Sequence, residues 1–233
     1  MDIQLNFIEQ GQGNPLILLH GNGESCNYFE HQIACFCHDY RVIALDTRGH
    51  GQSPRGEKPF TIKQFAEDLL DFMDEKGIEK AILLGFSDGG NIALEFALKY
   101  PQRVEKLILN GANLYPSGVK PLYQWPIEIG YRIANLFSKK SEKAQRNAEM
   151  LALMVNEPHI DPSELARLTM PVLVVAGTKD MIKDSHTRLI SKSLLNAQLS
   201  LLEGDHFVAN KNPEAFNKVV AEFLENSNTF VDK

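Results

Sequence analysis

Ser87 lies in Leu84-Gly85-Phe86-Ser87-Asp88-Gly89-Gly90, where two hydrophobic patterns meet. Ala81 to Leu84 is an apolar run of the kind buried on both faces of a sheet, and Ile92, Phe96 and Tyr100 follow at helical spacing. A chain that turns from strand to helix within so few residues forces the residue at the bend into a strained backbone conformation. The positions two before and two after it must be nearly free of side chain, because strand and helix close on each other there. A serine at that apex offers its hydroxyl at the carboxyl end of a sheet, beside the free amides of a helix N-terminus. The chemistry this suits is nucleophilic attack on a carbonyl carbon. The plainer reading is a glycine-rich helix start that Ser87 merely caps.

A serine hydroxyl is a poor nucleophile at neutral pH, so it needs a base within hydrogen-bond reach and an acid to orient that base. A strand–serine–helix turn calls for the order serine, acid, histidine, with the last two on loops after later strands. Asp180, in Gly177-Thr178-Lys179-Asp180, and His206, in Gly204-Asp205-His206-Phe207, each follow an apolar strand-like run. Asp205 and Asp184 are the rival acids, but Asp205 adjoins His206 and neighbours on a loop rarely face each other. Asn110 also follows a strand, yet it is uncharged. His31, His38, His159 and His186 read as surface or packing residues, and His20 and His50 as residues that shape loops through hydrogen bonds. The developing oxyanion needs N–H donors, each worth about 3 kcal/mol of barrier. The backbone N–H of Asp88 supplies one and that of Asn22, in His20-Gly21-Asn22-Gly23, the second. The Asp88 side chain, next to the nucleophile, could face the pocket and bind a substrate ammonium, or could cap its own helix.

Positioning these groups takes a series of alternating strands and helices. Residues 3–9 and 15–20 read as a first hairpin joined by Gly11-Gln12-Gly13-Asn14, followed by a helix near 26–37 and a strand at 41–45. Thr61 opens a helix with Ile62, Phe65, Leu69 and Phe72 on one stripe, and Gly77 stops it. After the central strand and its helix, which ends before Pro101, come strands at 104–109, 171–176 and 198–202 and helices near 184–195 and 213–223. Residues 114–168 differ. Leu122, Trp125, Ile129, Ile133 and Leu136 form one helical stripe, 141–156 form a second helix, and Asp161-Pro162-Ser163-Glu164 reads as a capped helix start. The expectation is a core domain of 1–113 and 169–233, with 114–168 a small helical cap whose Trp125 and Ile129 line a hydrophobic pocket. Buried strands alternating with helices imply an α/β fold with a mostly parallel twisted sheet covered on both faces. The tail from Asn226 is expected to fray.

A length of 233 residues, with 43% hydrophobic and 23% charged residues, fits one soluble α/β domain. A net charge of −6 leaves no basic stripe for nucleic acid. No apolar segment is long enough to cross a bilayer, so a membrane is not expected as a partner, and the acidic start Met1-Asp2 does not suit a signal peptide. Cys26, Cys35 and Cys37 suit reduced thiols in a cytoplasm better than a disulfide framework or a metal pair. Gly11-x-Gly13 lacks the third glycine of a dinucleotide loop, and no cofactor or metal is implied. The expected partner is a small-molecule acyl substrate, with a homodimer left open.

His20-Gly21-x-Gly23, Asp46-x-Arg48-Gly49-x-Gly51-x-Ser53, Gly85-x-Ser87-x-Gly89-Gly90, Gly177-x-x-Asp180 and Gly204-x-His206 together resemble, in order and over nearly the whole chain, the landmarks of the α/β-hydrolase superfamily. The elbow is similar to that of its biphenyl hydrolase-like and carboxylesterase branch. The resemblance implies an α/β-hydrolase fold, a Ser87–His206–Asp180 catalytic triad, an oxyanion hole from Asn22 and Asp88, and a serine esterase acting through an acyl-enzyme. Carbon–carbon hydrolases share those residues, and a ligand-binding protein on the same scaffold is the non-enzymatic alternative. Epoxide hydrolases and haloalkane dehalogenases of the superfamily place aspartate at the apex, where this chain has serine.

Overall fold

A computed structural model of the chain describes residues 2–225; the tail from Asn226 lies outside them. In chain order the elements are β1 (Phe7–Gln10), β2 (Asn14–Leu19), α1 (Glu30–Phe36), β3 (Tyr40–Leu45), α2 (Ile62–Glu75), β4 (Ala81–Phe86), α3 (Asp88–Lys99), β5 (Val104–Asn110), α4 (Pro121–Phe137), α5 (Glu142–Asn156), β6 (Val172–Gly177), α6 (Asp184–Ser193), β7 (Ala197–Leu202), α7 (Val208–Lys211) and α8 (Pro213–Glu225). The strands form one seven-stranded sheet in the order β1-β3-β2-β4-β5-β6-β7. All neighbours run parallel except β1 against β3.

Successive strand residues point to opposite faces, and each face has its own core. Ile17, Leu19 and Leu83 pack with Phe65, Leu69 and Phe72 of α2, Ile92 and Phe96 of α3 and Ile190 of α6. Leu16, Leu18, Ile82 and Leu84 pack with Ile33 and Phe36 of α1 and Phe216, Val220 and Phe223 of α8. The apolar runs without alternation therefore mark strands covered on both sides. The Thr61 hydroxyl accepts the Gln64 N–H to cap α2, and Gly77, at φ +65°, lies just past its end.

The expected first hairpin does not form. β2 takes β3 on one side and β4 on the other, both parallel, so neither of its edges is free for β1. β1 instead adds antiparallel to the outer edge of β3, with Phe7 opposite Leu45 and Gln10 opposite Val42. Gly11 and Gly13 turn the chain, at φ +81° and +102°, but the turn crosses beneath β3. A Cβ at Gly11 would stand 2.2 Å from the Tyr40 carbonyl oxygen.

Between β5 and β6 the chain is helical, and α4 and α5, termed the cap helices, pack on one another. Three contacts fasten α5 and its exit to the core. Asn22 Nδ2 donates to the Met150 carbonyl at 2.8 Å, Arg55 makes a two-pronged pair with Glu149 at 2.9 and 2.8 Å, and the Glu157 carboxylate accepts the Ile62 N–H at 2.7 Å. The Asp161 carboxylate does cap a helical turn, accepting the Ser163 N–H, but Pro162–Arg167 is a 3₁₀ helix. The stripe on α4 is exposed to solvent. Leu122, Trp125, Ile129, Ile133 and Leu136 are 54–78% exposed, so Trp125 and Ile129 do not play the pocket-lining part expected of them. No helix among the described residues is long and apolar enough to cross a membrane.

Candidate active site

Ser87 is the one non-glycine residue at positive φ among the described residues, at φ +53° and ψ −119°. It ends β4 and starts α3, and the flanking glycines explain how so sharp a turn is possible. A Cβ at Gly85 would lie 2.2 Å from the Gly89 carbonyl oxygen, and one at Gly89 would lie 1.9 Å from that of Leu19. No side chain fits either gap. The Ser87 N–H donates to the Asn110 carbonyl at 2.8 Å, and the Ser87 carbonyl accepts from Gly90 and Asn91, so the turn is held at both ends.

His206 and Asp180 converge on this serine from the loops after β7 and β6. His206 Nε2 lies 3.0 Å from Ser87 Oγ, and Nδ1 lies 2.7 Å from Asp180 Oδ1. The same Asp180 oxygen accepts the Ile182 N–H at 2.9 Å. Asp180 and His206 are buried, while Ser87 is half-open. The ring of His206 packs against Phe86, at 4.9 Å between centroids, and runs so close over Gly111 that a Cβ there would stand 2.7 Å from Cε1. The rival acids are engaged elsewhere: Asp205 pairs with Lys211 at 2.5 Å and Asp184 with Arg188 at 2.9 Å. The start of α4 braces the acid loop, since the Lys120 N–H donates to the Met181 carbonyl at 2.8 Å and its ammonium to the Asp180 carbonyl.

The loop after β2 passes directly beside the serine. A Cβ at Gly21 would be 3.2 Å from Ser87 Cβ, which puts the Asn22 backbone next to the apex. Asp88, the first residue of α3, has no helical acceptor for its N–H, so both amides expected to meet an oxyanion border the serine. His20 sets this loop. Its Nδ1 lies 2.7 Å from the Gly21 carbonyl, and its Nε2 accepts the Thr47 N–H at 3.0 Å. That pattern requires neutral imidazole with the proton on Nδ1, and burial lowers the His20 pKa to about 4, with help from nearby His50. His50 Nδ1 lies 3.0 Å from the Arg48 carbonyl. His186 is a packing residue whose Nε2 accepts the Leu114 N–H at 2.9 Å.

The Asp88 carboxylate neither caps its own helix nor pairs with a lysine or arginine among the described residues. Oδ2 accepts from Asn22 Nδ2 at 3.0 Å and Oδ1 from Asn91 Nδ2 at 3.2 Å, and burial raises its pKa. Sequence reasoning missed these two side chains. Asn91, a polar residue beside Ile92 in an apolar helix, was the visible signal; it also accepts the Asn113 N–H at 2.9 Å. The Asp46–Ser53 motif is scaffolding. Asp46 gathers the N–H groups of Cys26 and Gln52 and the amide of Asn6, while fully buried Arg48 is clamped by Asp68 and Asp2 at 2.6–2.7 Å. Cys26 is buried, with its thiol pushed up to about 12 by burial and by Asp46. No group of three potential metal ligands occurs among the described residues.

A cavity of about 670 Å³ opens between the cap helices and this loop, lined by Asn22, Gly23, Ile133, Phe137, Met150 and Leu151 among others. Its cap wall is thus built from α5 and from one flank of α4, which shares Ile133 with the exposed stripe. Trp125 and Ile129 are not part of it.

An apex serine on a strand–helix turn of a parallel sheet, with a buried His–Asp pair at the same edge, defines a hydrolase architecture. Comparison with known proteins agrees: the sequence model of the alpha/beta hydrolase fold matches residues 14–149, and the chain belongs to that family of enzymes. It is 30% identical to the human serine hydrolase BPHL over 96% of this chain and 84% of that protein. It is 27% identical to 3-oxoadipate enol-lactonase 2 of Acinetobacter baylyi, over 97% and 95% of the two chains. A solved hydrolase structure from Pseudomonas aeruginosa PA01 superposes with a TM-score of 0.79 at 26% identity, covering 96% of this chain and 95% of that one.

Proposed function

We propose that this hydrolase cleaves a small carboxylic ester, or a related acyl compound, through an acyl-enzyme on Ser87. The observation that carries this reading is the unbroken hydrogen-bonded relay from Ser87 Oγ through His206 to Asp180, with spacings of 3.0 and 2.7 Å. Ser87 Oγ attacks the carbonyl carbon as His206 Nε2 takes its proton. The negative charge that builds on the carbonyl oxygen is met by the N–H groups of Asn22 and Asp88. Collapse of the tetrahedral intermediate breaks the bond to the leaving group, which takes the proton from Nε2. Water, activated by the same imidazole, then attacks the acyl-serine and frees the acid and Ser87. Asp180 holds the Nδ1 proton and stabilises the imidazolium formed twice in each cycle.

Similarity to a lactonase supports ester chemistry, because a lactone is a cyclic ester. The apolar cavity beside Asn22 supports an acyl or alcohol portion that is largely hydrocarbon.

Labelling with a fluorophosphonate, followed by assay on short p-nitrophenyl esters, tests the proposal. Labelling that disappears in Ser87→Ala, together with ester turnover, is the expected result. Labelling without ester turnover would favour cleavage of a carbon–carbon bond in a vinylogous diketone. No labelling at all would favour a ligand-binding protein on this scaffold.

A further inference from the structure

Of the ten exposed large apolar side chains among the described residues, seven lie on α4. Five of these make one exposed stripe, at residues 122, 125, 129, 133 and 136, with Ile133 also at the rim of the cavity beside Asn22. Relative to Ile129 their offsets are −7, −4, 0, +4 and +7, so the stripe reads the same from either end. At 3.6 residues per turn they cover roughly 80° of the helix and about 21 Å of its length. A mirrored stripe is what an antiparallel contact between two identical helices requires, because a twofold axis through Ile129 pairs residue i with residue 258−i of the partner.

We infer that the outer face of α4 is the contact surface for a second copy of this chain, packed antiparallel about a twofold axis at Ile129. Leu122 then meets the partner's Leu136, Trp125 meets the partner's Ile133, and Ile129 meets its own counterpart. The charges beside the stripe fit the same arrangement. Glu128 and Arg132 lie on one flank of α4, and neither has an ion-pair partner within 4.0 Å among the described residues. The twofold brings Glu128 to the same side of the contact as the partner's Arg132, about 3 Å apart along the axis, and repeats the pair. A parallel pairing would put this flank and the partner's on opposite sides of the contact and forfeit the match.

Cysteine cross-linking in a Cys35→Ala, Cys37→Ala background reads the register directly. Packed helices stand about 8–10 Å apart with Cα atoms on a radius near 2.3 Å, so facing Cα atoms at the twofold are about 3.4–5.4 Å apart, a range that overlaps disulfide geometry. Ile129→Cys alone should oxidise to a covalent dimer. Leu122→Cys alone should not, because its own counterpart lies about 21 Å away along the axis, but it should cross-link when mixed with Leu136→Cys. In sedimentation the unmodified chain should behave as a dimer and Ile129→Asp, with two like charges forced together at the axis, as a monomer of unchanged circular dichroism. Trp125, the only tryptophan of the chain, reports the same event through a concentration-dependent blue shift of its emission. A chain that stays monomeric at every concentration would overturn the proposal. So would cross-linking at Leu122→Cys but not Ile129→Cys, or a Trp125 shift that appears only with anionic lipid vesicles.

Discussion

The amide of Asn22 donates to the carboxylate of Asp88 at 3.0 Å, tying the loop after β2 to the first turn of α3. The same nitrogen donates to the Met150 carbonyl at 2.8 Å, so one side chain joins the loop, α3 and α5. The two backbone amides proposed to meet an oxyanion belong to these same two residues. Replacing Asn22 with alanine leaves its backbone N–H in place but unties it, and a misplacement on the order of 1 Å can cost about 100-fold in rate. Asn22→Ala is therefore expected to lower kcat by about 10- to 100-fold with a smaller change in KM. Stability should fall by about 1–3 kcal/mol, because Asp88 loses a donor inside the protein. Ester kinetics and urea unfolding measure the two effects, and an unchanged kcat would sink the positioning role.

Strain at Ser87 sets activity against stability. Its backbone occupies a region that side chains rarely adopt, and holding it there costs on the order of 1–3 kcal/mol. Ser87→Gly should relieve that cost, while Ser87→Ala should keep it, although both lose the hydroxyl proposed as the nucleophile. Thermal unfolding of the two variants is expected to rank glycine above alanine. The reverse order would mean that the turn is not strained.

Acid should loosen the fold through His20. Buried and neutral, it takes a proton only near pH 4, whereas a histidine in the unfolded chain does so near 6.5. Between those values the unfolded state holds more protons than the folded one, so stability falls as pH drops through that window, by on the order of 3 kcal/mol at its lower end. His186, whose pKa is likewise lowered to about 4 by burial and by Lys183, adds to the slope. Unfolding free energies measured from pH 7 to pH 4 should show this decline, and His20→Asn should flatten it. A slope unchanged by that substitution would remove His20 as its source.

Asp88 gives a test of substrate charge. Its carboxylate, fixed by two side-chain amides, has no cation paired with it among the described residues, and an ester bearing an α-ammonium group would bring one. The expected result is that wild type prefers an α-amino ester to its des-amino analogue by about 10- to 100-fold in kcat/KM, the range of a charge-assisted hydrogen bond. Asp88→Asn should erase that preference. Equal losses on both substrates would leave Asp88 a purely positioning residue.

Local signals in the sequence carried much of the site and less of its surroundings. Gly85 and Gly89 announced the turn because close backbone approach leaves a glycine at each point, and the apolar runs before Asp180 and His206 placed both at one sheet edge. The pairing of β1 was hidden. Gly11 and Gly13 describe a turn but not which strand edges remain free once β3 and β4 have taken both sides of β2. Periodicity on α4 marked a coherent face without saying what it meets. The Asn22–Met150 bond joins residues 128 apart, and no local pattern encodes such a contact.

The gaps at Gly85 and Gly89 leave no room for a single added methyl group, so a side chain at either position would break the turn that carries Ser87. The cavity wall made by Phe137, Met150 and Leu151 carries no such restriction. New substrate preferences are expected to arise by resculpting that wall above a fixed turn, and a saturation library confined to those three positions is where an engineer should look for them.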